Sequence, residues 1–373
     1  MRLIDRTRIV SYLNCSRLRY WGFEYQGRGL ASKGTSMPLL TGIAIHSAVD
    51  RVADDPDNLD GIIRETLDDW QKDYQGAEDW FIKEQSYLLE GLIRTWTTYR
   101  LPRILEEFNI VASELEIPWE LEDGLVDMVK CDKILRRLSD GMLFILELKT
   151  TSSANDYWAK QWIHNTQVLA NTLAVQEKFG EPCGGVLIEG LEKGQRKTEK
   201  DGRTIQNSPL CYAWVKVKDN KTLISPSYTS GWTRTPVWDL MTSEDWCRTY
   251  IDEDVARRIC NPLLPIKPIS QQLDRWRAQT ILQERRIVEL IPTTLAGDLS
   301  AFPMNDEHCL RYGSPCQFEK ICFTPMIEED PRSNGYVYRT PHHDTERKLW
   351  QEQGMEAQDN PPSREDEAAA QVL

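Results

Sequence analysis

The chain has 373 residues, which suits one elaborated domain or two and can bury a large core. Its formal net charge of −13 excludes a protein that coats nucleic acid by bulk electrostatics, while leaving room for a local basic groove. No run approaches the ~20 uninterrupted apolar residues of a membrane span, and the opening MRLIDRTRIVSYLNC carries Asp5 and no apolar signal core, so a cytoplasmic protein without membrane attachment is expected.

Apolar residues recur at helical spacing over residues 5 to 25, with Ile9, Leu13, Leu18 and Trp21 as buried candidates and Cys15 inside the helix. Helices are also expected over 40 to 54 and 80 to 108. The period then changes. From about Ile110 to Thr151 the chain reads as three strands joined by turns at Glu122-Asp123-Gly124 and around Asp140-Gly141. A helix from Asp156 to Phe179 ends at Gly180 and Pro182, and GGVLIEGL reads as a strand buried on both faces. EKGQRKTEKDGRT has the composition of a solvated loop; its Arg196, Lys197, Lys200 and Arg203 either touch phosphate or decorate a hairpin tip. A strand, LCYAWVKV, and helix over 236 to 290 follow. From about 327 the composition turns polar, through Asn360-Pro361-Pro362 to an acidic, Ala-rich end, which reads as a mobile tail.

The run VDMVKCDKILRR carries Asp132, and the next, MLFILELKT, carries Glu147 and Lys149. Side chains alternate along a strand, so Glu147 and Lys149 share one face. A loop centred on Ser139-Asp140 sets Asp132 opposite Glu147; one centred a residue later sets it opposite Lys149. An exposed face with charges would be the ordinary explanation, but MLFILEL reads as a buried strand, where an unpaired charge costs several kcal/mol. Either register gathers the groups a divalent ion needs: carboxylate oxygens for a hard cation, and an ammonium to orient water or steady phosphate charge.

Nine cysteines in a chain of this kind point to reduced thiols or metal ligands. Three crowd into HCLRYGSPCQFEKICF as Cys309, Cys316 and Cys322. A tetrahedral zinc site or a cubane iron-sulfur cluster needs four thiolates, and Cys15, with its Arg and aromatic neighbours, is the leading fourth. Cys131, Cys183, Cys211, Cys247 and Cys260 read as small buried hydrophobes. Most of the thirteen Trp and thirteen Tyr belong to core packing, although aromatics also stack on unpaired bases.

In order and type these residues resemble the RecB-like branch of the PD-(D/E)xK nuclease superfamily, specifically its iron-sulfur exonucleases, similar to CRISPR-associated RecB-type nucleases and the AddB nuclease domain. The family's helical Gly-x-x-x-His corresponds to Gly42-Ile43-Ala44-Ile45-His46, its strand Asp to Asp132, its E-x-K to Glu147-Leu148-Lys149 and its helical Gln to Gln167. One cysteine before the core and three after it match Cys15, Cys309, Cys316 and Cys322. The resemblance spans roughly residues 8 to 325. It departs from the family at Asn171, where a Tyr is common, and in the looser spacing of the last three cysteines.

The resemblance implies an α/β fold: a restriction-endonuclease-like core with a central mixed sheet flanked by helices, plus a helical, cysteine-ligated region joining the N- and C-terminal parts. It implies a nuclease domain over 1–325 and a tail over 326–373. His46, Asp132, Glu147 and the Leu148 carbonyl would hold one or two Mg²⁺ or Mn²⁺ ions, Lys149 would be the catalytic cation, and Gln167 would orient it or the substrate. The four cysteines would carry a 4Fe-4S cluster, with zinc the alternative. The implied activity is metal-dependent hydrolysis of DNA, as an exonuclease on single-stranded ends, in repair, recombination, spacer acquisition or phage replication; the alternative is a catalytically silent DNA-binding or assembly subunit. No GxxxxGK[ST] loop is present, so any helicase partner would be a separate chain.

Overall fold

A computed structural model describes residues 1–32, 37–72, 77–198, 202–294, 299–311, 314–323 and 331–355. The protein is α/β, with a mixed central sheet flanked by helices, and the chain forms two compact units. One comprises residues 36–115 and 130–268; the other comprises 1–35, 116–129 and 269–373.

The first unit is built on strands β3 (Phe108–Glu122), β4 (Leu125–Arg137), β5 (Leu143–Thr151), β6 (Cys183–Glu192) and β12 (Leu264–Ile266). They run in the order β4-β5-β6-β12, with β3 also paired to β4. The β4–β5 and β6–β12 pairs are antiparallel and β5–β6 is parallel. The three strands expected between 110 and 151 are present, with turns at 123–124 and 138–140. β6 is buried on both faces and β5 over most of its length, which is why both read as near-continuous apolar runs.

The β5–β6 crossover contains α7 (Asp156–Lys160) and α8 (Thr166–Phe179), not the single helix expected there. Asn155 and Asn165 both act as N-caps, accepting from the Trp158 and Gln167 N–H groups, and the second cap restarts the helix. Gly180, at φ 66°, closes it in the left-handed conformation a side chain would resist.

Helices α3 (Met37–Asp54), α4 (Leu59–Lys72), α5 (Asp79–Thr95) and α6 (Leu101–Glu107) complete this layer. α4 was hidden in an acidic stretch; its Ile62 and Ile63 join Ala48, Val52 and Ile93 in one apolar cluster. α5 and α6 form the long helix expected over 80 to 108, interrupted by a π-turn at Trp96–Arg100 just before Pro102, which has no N–H to donate. From this turn Arg100 Nε and Trp96 Nε1 donate to the buried Glu189 of β6 at 2.6 and 3.0 Å. The helix expected over 236 to 290 is divided into α9 (Ser243–Tyr250), α10 (Glu253–Ile259) and, after β12, the start of α11 (Ser270–Thr294). Pro262, Pro265 and Pro268 exclude a helix through β12. In place of the expected loop over 192–204, β7 (Gln195–Thr198) pairs antiparallel with β8 (Thr204–Asn207); Lys200 lies outside the described residues. β9 (Tyr212–Lys218), β10 (Lys221–Ser225) and β11 (Thr233–Pro236) form a separate three-stranded antiparallel sheet.

In the second unit β1 (Arg2–Ile4) pairs in parallel with residues 125–127 of β4. α1 (Arg6–Asn14) and α2 (Ser16–Arg19) are separated by Cys15, whose backbone is extended at φ −162° and ψ 117°, so the expected uninterrupted helix breaks there. The break coincides with contacts to the C-terminal part of the unit: Cys15 Sγ accepts from the Asn305 N–H, and Ser16 Oγ donates to the Pro303 carbonyl. Tyr20, Trp21, Ile287, Phe302, Phe318 and Tyr336 form the core. A short pair, β13 (Leu310–Arg311) with β14 (Ser314–Pro315), precedes α12 (Glu319–Phe323).

The polar segment expected to be a mobile tail contains structure. β15 (Tyr336–Tyr338) pairs antiparallel with β2 (Leu30–Ser32), and α13 (Asp344–Glu352) follows. Glu116 accepts from the Asp344 and Thr345 N–H groups at the start of α13, while Glu346 pairs with Arg8 and Arg339 in a buried ion triad. These charges, which made the segment look unstructured, are its anchors. Residues 356–373 lie outside the described residues. No helix among those described is long and apolar enough to cross a membrane.

Asp127, opposite Ile4, is fully buried, and neither carboxylate oxygen has a hydrogen-bond partner of ordinary geometry among the described residues. Burial, then the charge of Asp5, push its pKa up to about 8 against a weaker pull from the Trp119 indole. The folded chain thus holds a proton that the unfolded chain releases near 3.8, so stability is highest below that value and falls as pH rises toward 8. Asp127→Asn is expected to flatten this slope in thermal melts between about pH 5 and 9; an equally steep decline in the variant would assign it to another group.

Candidate metal centre

β4 and β5 pair as Lys133↔Leu146 through Arg136↔Leu143, and the same register sets Asp132 opposite Glu147, the first of the two alternatives the turn allowed. Asp132 receives the Leu148 N–H on Oδ2 at 2.7 Å. Glu147 and Lys149 share the face expected from strand alternation: Lys149 Nζ lies 2.9 Å from Glu147 Oε2 and 3.7 Å from Asp132 Oδ2, bridging the two carboxylates.

Glu147 has no solvent exposure. A carboxylate in such a place persists only with donors on both oxygens. α8 supplies them from residues one turn apart: Gln167 Nε2 donates to Oε2 and Asn171 Nδ2 to Oε1, each at 2.5 Å. Asn171, which sequence comparison marked only as a departure, therefore takes half of the Glu147 carboxylate. The Gln167 carbonyl oxygen is buried without a partner among the described residues.

From α3, His46 Nδ1 approaches Asp132 Oδ1 at 3.4 Å. A third ligand-type side chain, Glu114 of β3, joins them, and His46, Glu114 and Asp132 offer ligand atoms all within 4.8 Å of one another. One imidazole nitrogen with carboxylate oxygens suits Mg²⁺ or Mn²⁺ completed by water. Glu114 stands at φ 47°, a left-handed conformation rare for a residue with a side chain, and its carboxylate also meets Lys130 Nζ at 2.5 Å. Nothing in the pattern of VASELEI separates Glu114 from Glu116, so its place in the site was not legible in the sequence. Lys133 Nζ, almost wholly buried, lies 3.1 Å from both Asp50 Oδ1 and Ser113 Oγ beside the same small cavity. Of the expected ion-holding residues, His46 and Asp132 lie in the triad, Leu148 reaches Asp132 through its N–H, and Glu147 is turned to Lys149, Gln167 and Asn171.

The protonation states follow from this packing. Burial lowers the pKa of His46, but the charge and hydrogen bond of Asp132 outweigh it and hold the imidazolium above its ordinary range. Asp132 resists burial because Lys149 and His46 stand beside it, and its pKa falls well below the usual carboxylate value. Glu147 moves the other way: burial, then repulsion from Asp132, raise it despite Lys149.

Within the second unit, Cys15, Cys309, Cys316 and Cys322 are close enough for charge on one thiol to raise its neighbours: Cys15 acts on the other three. Among the described residues no three of them bring their sulfurs within 4.8 Å of one another. A tetrahedral zinc ion with Zn–S bonds of about 2.3 Å would require sulfurs about 3.8 Å apart. The N- and C-terminal parts are also stitched without them, by Arg17 donating to the Phe302 and Leu299 carbonyls at 2.6 and 2.7 Å.

Because the imidazolium of His46 must release its proton before a ring nitrogen can accept a cation, Mn²⁺ affinity is expected to rise with pH, and calorimetry in buffers of different ionisation enthalpy should register proton release that diminishes in His46→Ala. Asn171→Ala should weaken Mn²⁺ binding by roughly 10- to 100-fold, as loss of a residue orienting a ligand does; unchanged affinity would make the contact to Glu147 a packing detail. No protein-family model matches the chain, and no curated protein sequence matches it.

Proposed function

We propose that the protein is a metal-dependent DNA nuclease of the PD-(D/E)xK kind, with a restriction-endonuclease-like core, acting as an exonuclease on single-stranded ends. The observation that carries this reading is Lys149 Nζ set between Glu147 and Asp132 at 2.9 and 3.7 Å, where β4 and β5 part, beside His46 and Glu114. A surface ion pair has no need of a fully buried carboxylate with three donors from two elements.

His46, Glu114, Asp132 and Glu147, with the Leu148 carbonyl, would hold one or two Mg²⁺ or Mn²⁺ ions. Such an ion lowers the pKa of bound water and neutralises charge at the reacting phosphorus. Lys149 Nζ orients the attacking water or meets the phosphorane oxygens with its positive charge. Gln167 and Asn171 fix Glu147, and through it Lys149, so that the ammonium is already placed when a phosphate arrives. His46 gives up the proton that Asp132 favours, freeing a ring nitrogen for the ion.

For the cysteines we infer a 4Fe-4S cluster on Cys15, Cys309, Cys316 and Cys322. What supports this reading is that Cys15, from the N-terminal segment, lies near enough to Cys309, Cys316 and Cys322 for its charge to act on all three. The cluster would add a covalent clamp where hydrogen bonds already join the N- and C-terminal segments.

Labelled single- and double-stranded DNA incubated with Mn²⁺ tests the nuclease reading. Degradation from unpaired ends is expected, and Lys149→Ala and Glu147→Ala, assayed well below their own melting temperatures, should each lower its rate by roughly 10²- to 10³-fold or more. Full activity in either variant would overturn the site assignment, and no degradation by the parent would favour a silent DNA-binding subunit. Anaerobically purified protein is expected to be brown, with about four iron and four sulfide per chain; a colourless protein carrying stoichiometric zinc would sink the cluster.

A further inference from the structure

The sheet β9-β10-β11 has two unlike faces. Strand alternation and the pairings Lys218↔Lys221, Lys216↔Leu223 and Trp214↔Ser225, with Arg234↔Trp214 on the other side, put Trp214, Lys216, Lys218, Lys221 and Arg234 on one face. On the opposite face Ala213 and Ile224 pack into an apolar cluster with Val237 and Trp246. The sheet is therefore rooted at its Tyr212, Ala213 and Ile224 end, and toward the Asp219-Asn220 turn Lys216, Lys218 and Lys221 reach solvent. Residues 209–236 hold four cations and one carboxylate in a chain of net charge −13.

Two features point to what this face meets. Lys218 and Lys221 stand directly opposite each other across a two-residue turn in which Asp219 and Asn220 both take positive φ, at 52° and 57°. Like charges directly opposite on a strand pair are destabilising. Lys216, Lys218 and Lys221 are exposed, and none has an ion-pair partner among the described residues. Beside them Tyr228, 71 % exposed, meets Trp214 edge to face at 4.7 Å, and Arg258 Nη2 donates to Ser227 Oγ at 3.2 Å next to it. An exposed aromatic beside an uncompensated row of lysines has the elements of a site for an unpaired polynucleotide: point charges for successive phosphates and a flat ring for a base.

We propose that this face binds the unpaired strand of a nucleic acid, with phosphates against Lys216, Lys218 and Lys221 and a base stacked on Tyr228. The choice of a nucleic acid rests on the nuclease reading; the binding face shares no residue with the metal centre. The row of three lysines on one strand pair beside an exposed ring matches the repeating phosphates and flat bases of a single strand, and an acidic protein in its place would show no preference for oligothymidylate.

Fluorescence anisotropy of a fluorescein-labelled oligothymidylate, titrated with the full chain in EDTA over a range of salt, tests it. The triple variant Lys216→Ala/Lys218→Ala/Lys221→Ala should bind at least about tenfold more weakly and lose about 2 from the slope of log K against log salt, as removal of three phosphate contacts on a single strand predicts. Tyr228→Ala should weaken binding by about tenfold without altering the slope, and Tyr228→Phe should restore it. An unchanged slope and affinity in the triple variant, or equal binding of duplex and unpaired DNA, overturns the proposal. The two readings fail separately: a parent protein that binds oligothymidylate through these lysines but cleaves nothing with Mn²⁺ sinks the nuclease alone, while an active nuclease whose triple variant binds as the parent does sinks only this face.

Discussion

The Glu147 carboxylate on the central strand imposes the strictest constraint in the unit formed by residues 36–115 and 130–268. It has no access to water, so its charge must be met by protein, and it is met from two directions at once: Lys149 on its own strand, and Gln167 and Asn171 on α8. Each donor depends on a separate piece of backbone. Lys149 requires two-residue alternation on β5; the amides require α8 to begin at Asn165, since a shift of one residue would turn Gln167 and Asn171 off that face. The N-cap that divides the crossover helix therefore sets the aim of residues inside it. Breaking one side of such an arrangement leaves a buried charge without compensation, a larger penalty than the contact itself is worth.

The opposing shifts of Glu147 and Asp132 express one fact, that two carboxylates and two cationic groups share a volume too small for all charges to be independent. His46 and Lys149 both favour ionised Asp132, and Asp132 in turn makes ionised Glu147 costly. A divalent cation held by His46, Glu114 and Asp132 would relieve this conflict, replacing an imidazolium proton with a charge nearer the carboxylates. The positive φ of Glu114 fits the same logic: backbone held in an unfavourable region survives where surrounding structure over-determines it, and such residues concentrate at sites.

Much of this arrangement was legible in the sequence because it is short-range. Two strands and a tight turn place Asp132, Glu147 and Lys149 by alternation alone, and only the register stayed open, since a turn around Ser139-Asp140-Gly141 can be centred in two ways. His46 and Gln167 were legible through order along the chain. Glu114 was not, because its backbone angle is set by neighbours and leaves no mark on an alternating strand. Asn171 stood in view but without meaning, as its role appears only when α8 lies against β5. The broken helix at Cys15 and the structured segment after 331 were missed for one shared reason: each is decided by partners about three hundred residues away, Asn305 for Cys15 and Arg8 for Glu346. Local propensity reads neither.

A chain with a net charge of −13 repels a polyanion on average. What a nearby phosphate feels is set by the position of charge rather than by its sum. At physiological salt, exposed charges separated by more than about 8 Å are largely screened, so a phosphate responds to what lies within that radius. On the β9–β11 sheet those charges are cationic, while many of the chain's acids are already engaged with arginines, as Glu24 and Glu284 are with Arg2 and Arg19, or gathered around the metal-type site. An overall negative field would weaken adventitious retention of nucleic acid without weakening a local grip, and on the proposed reading a strand would be held only where lysine and aromatic ring occur together.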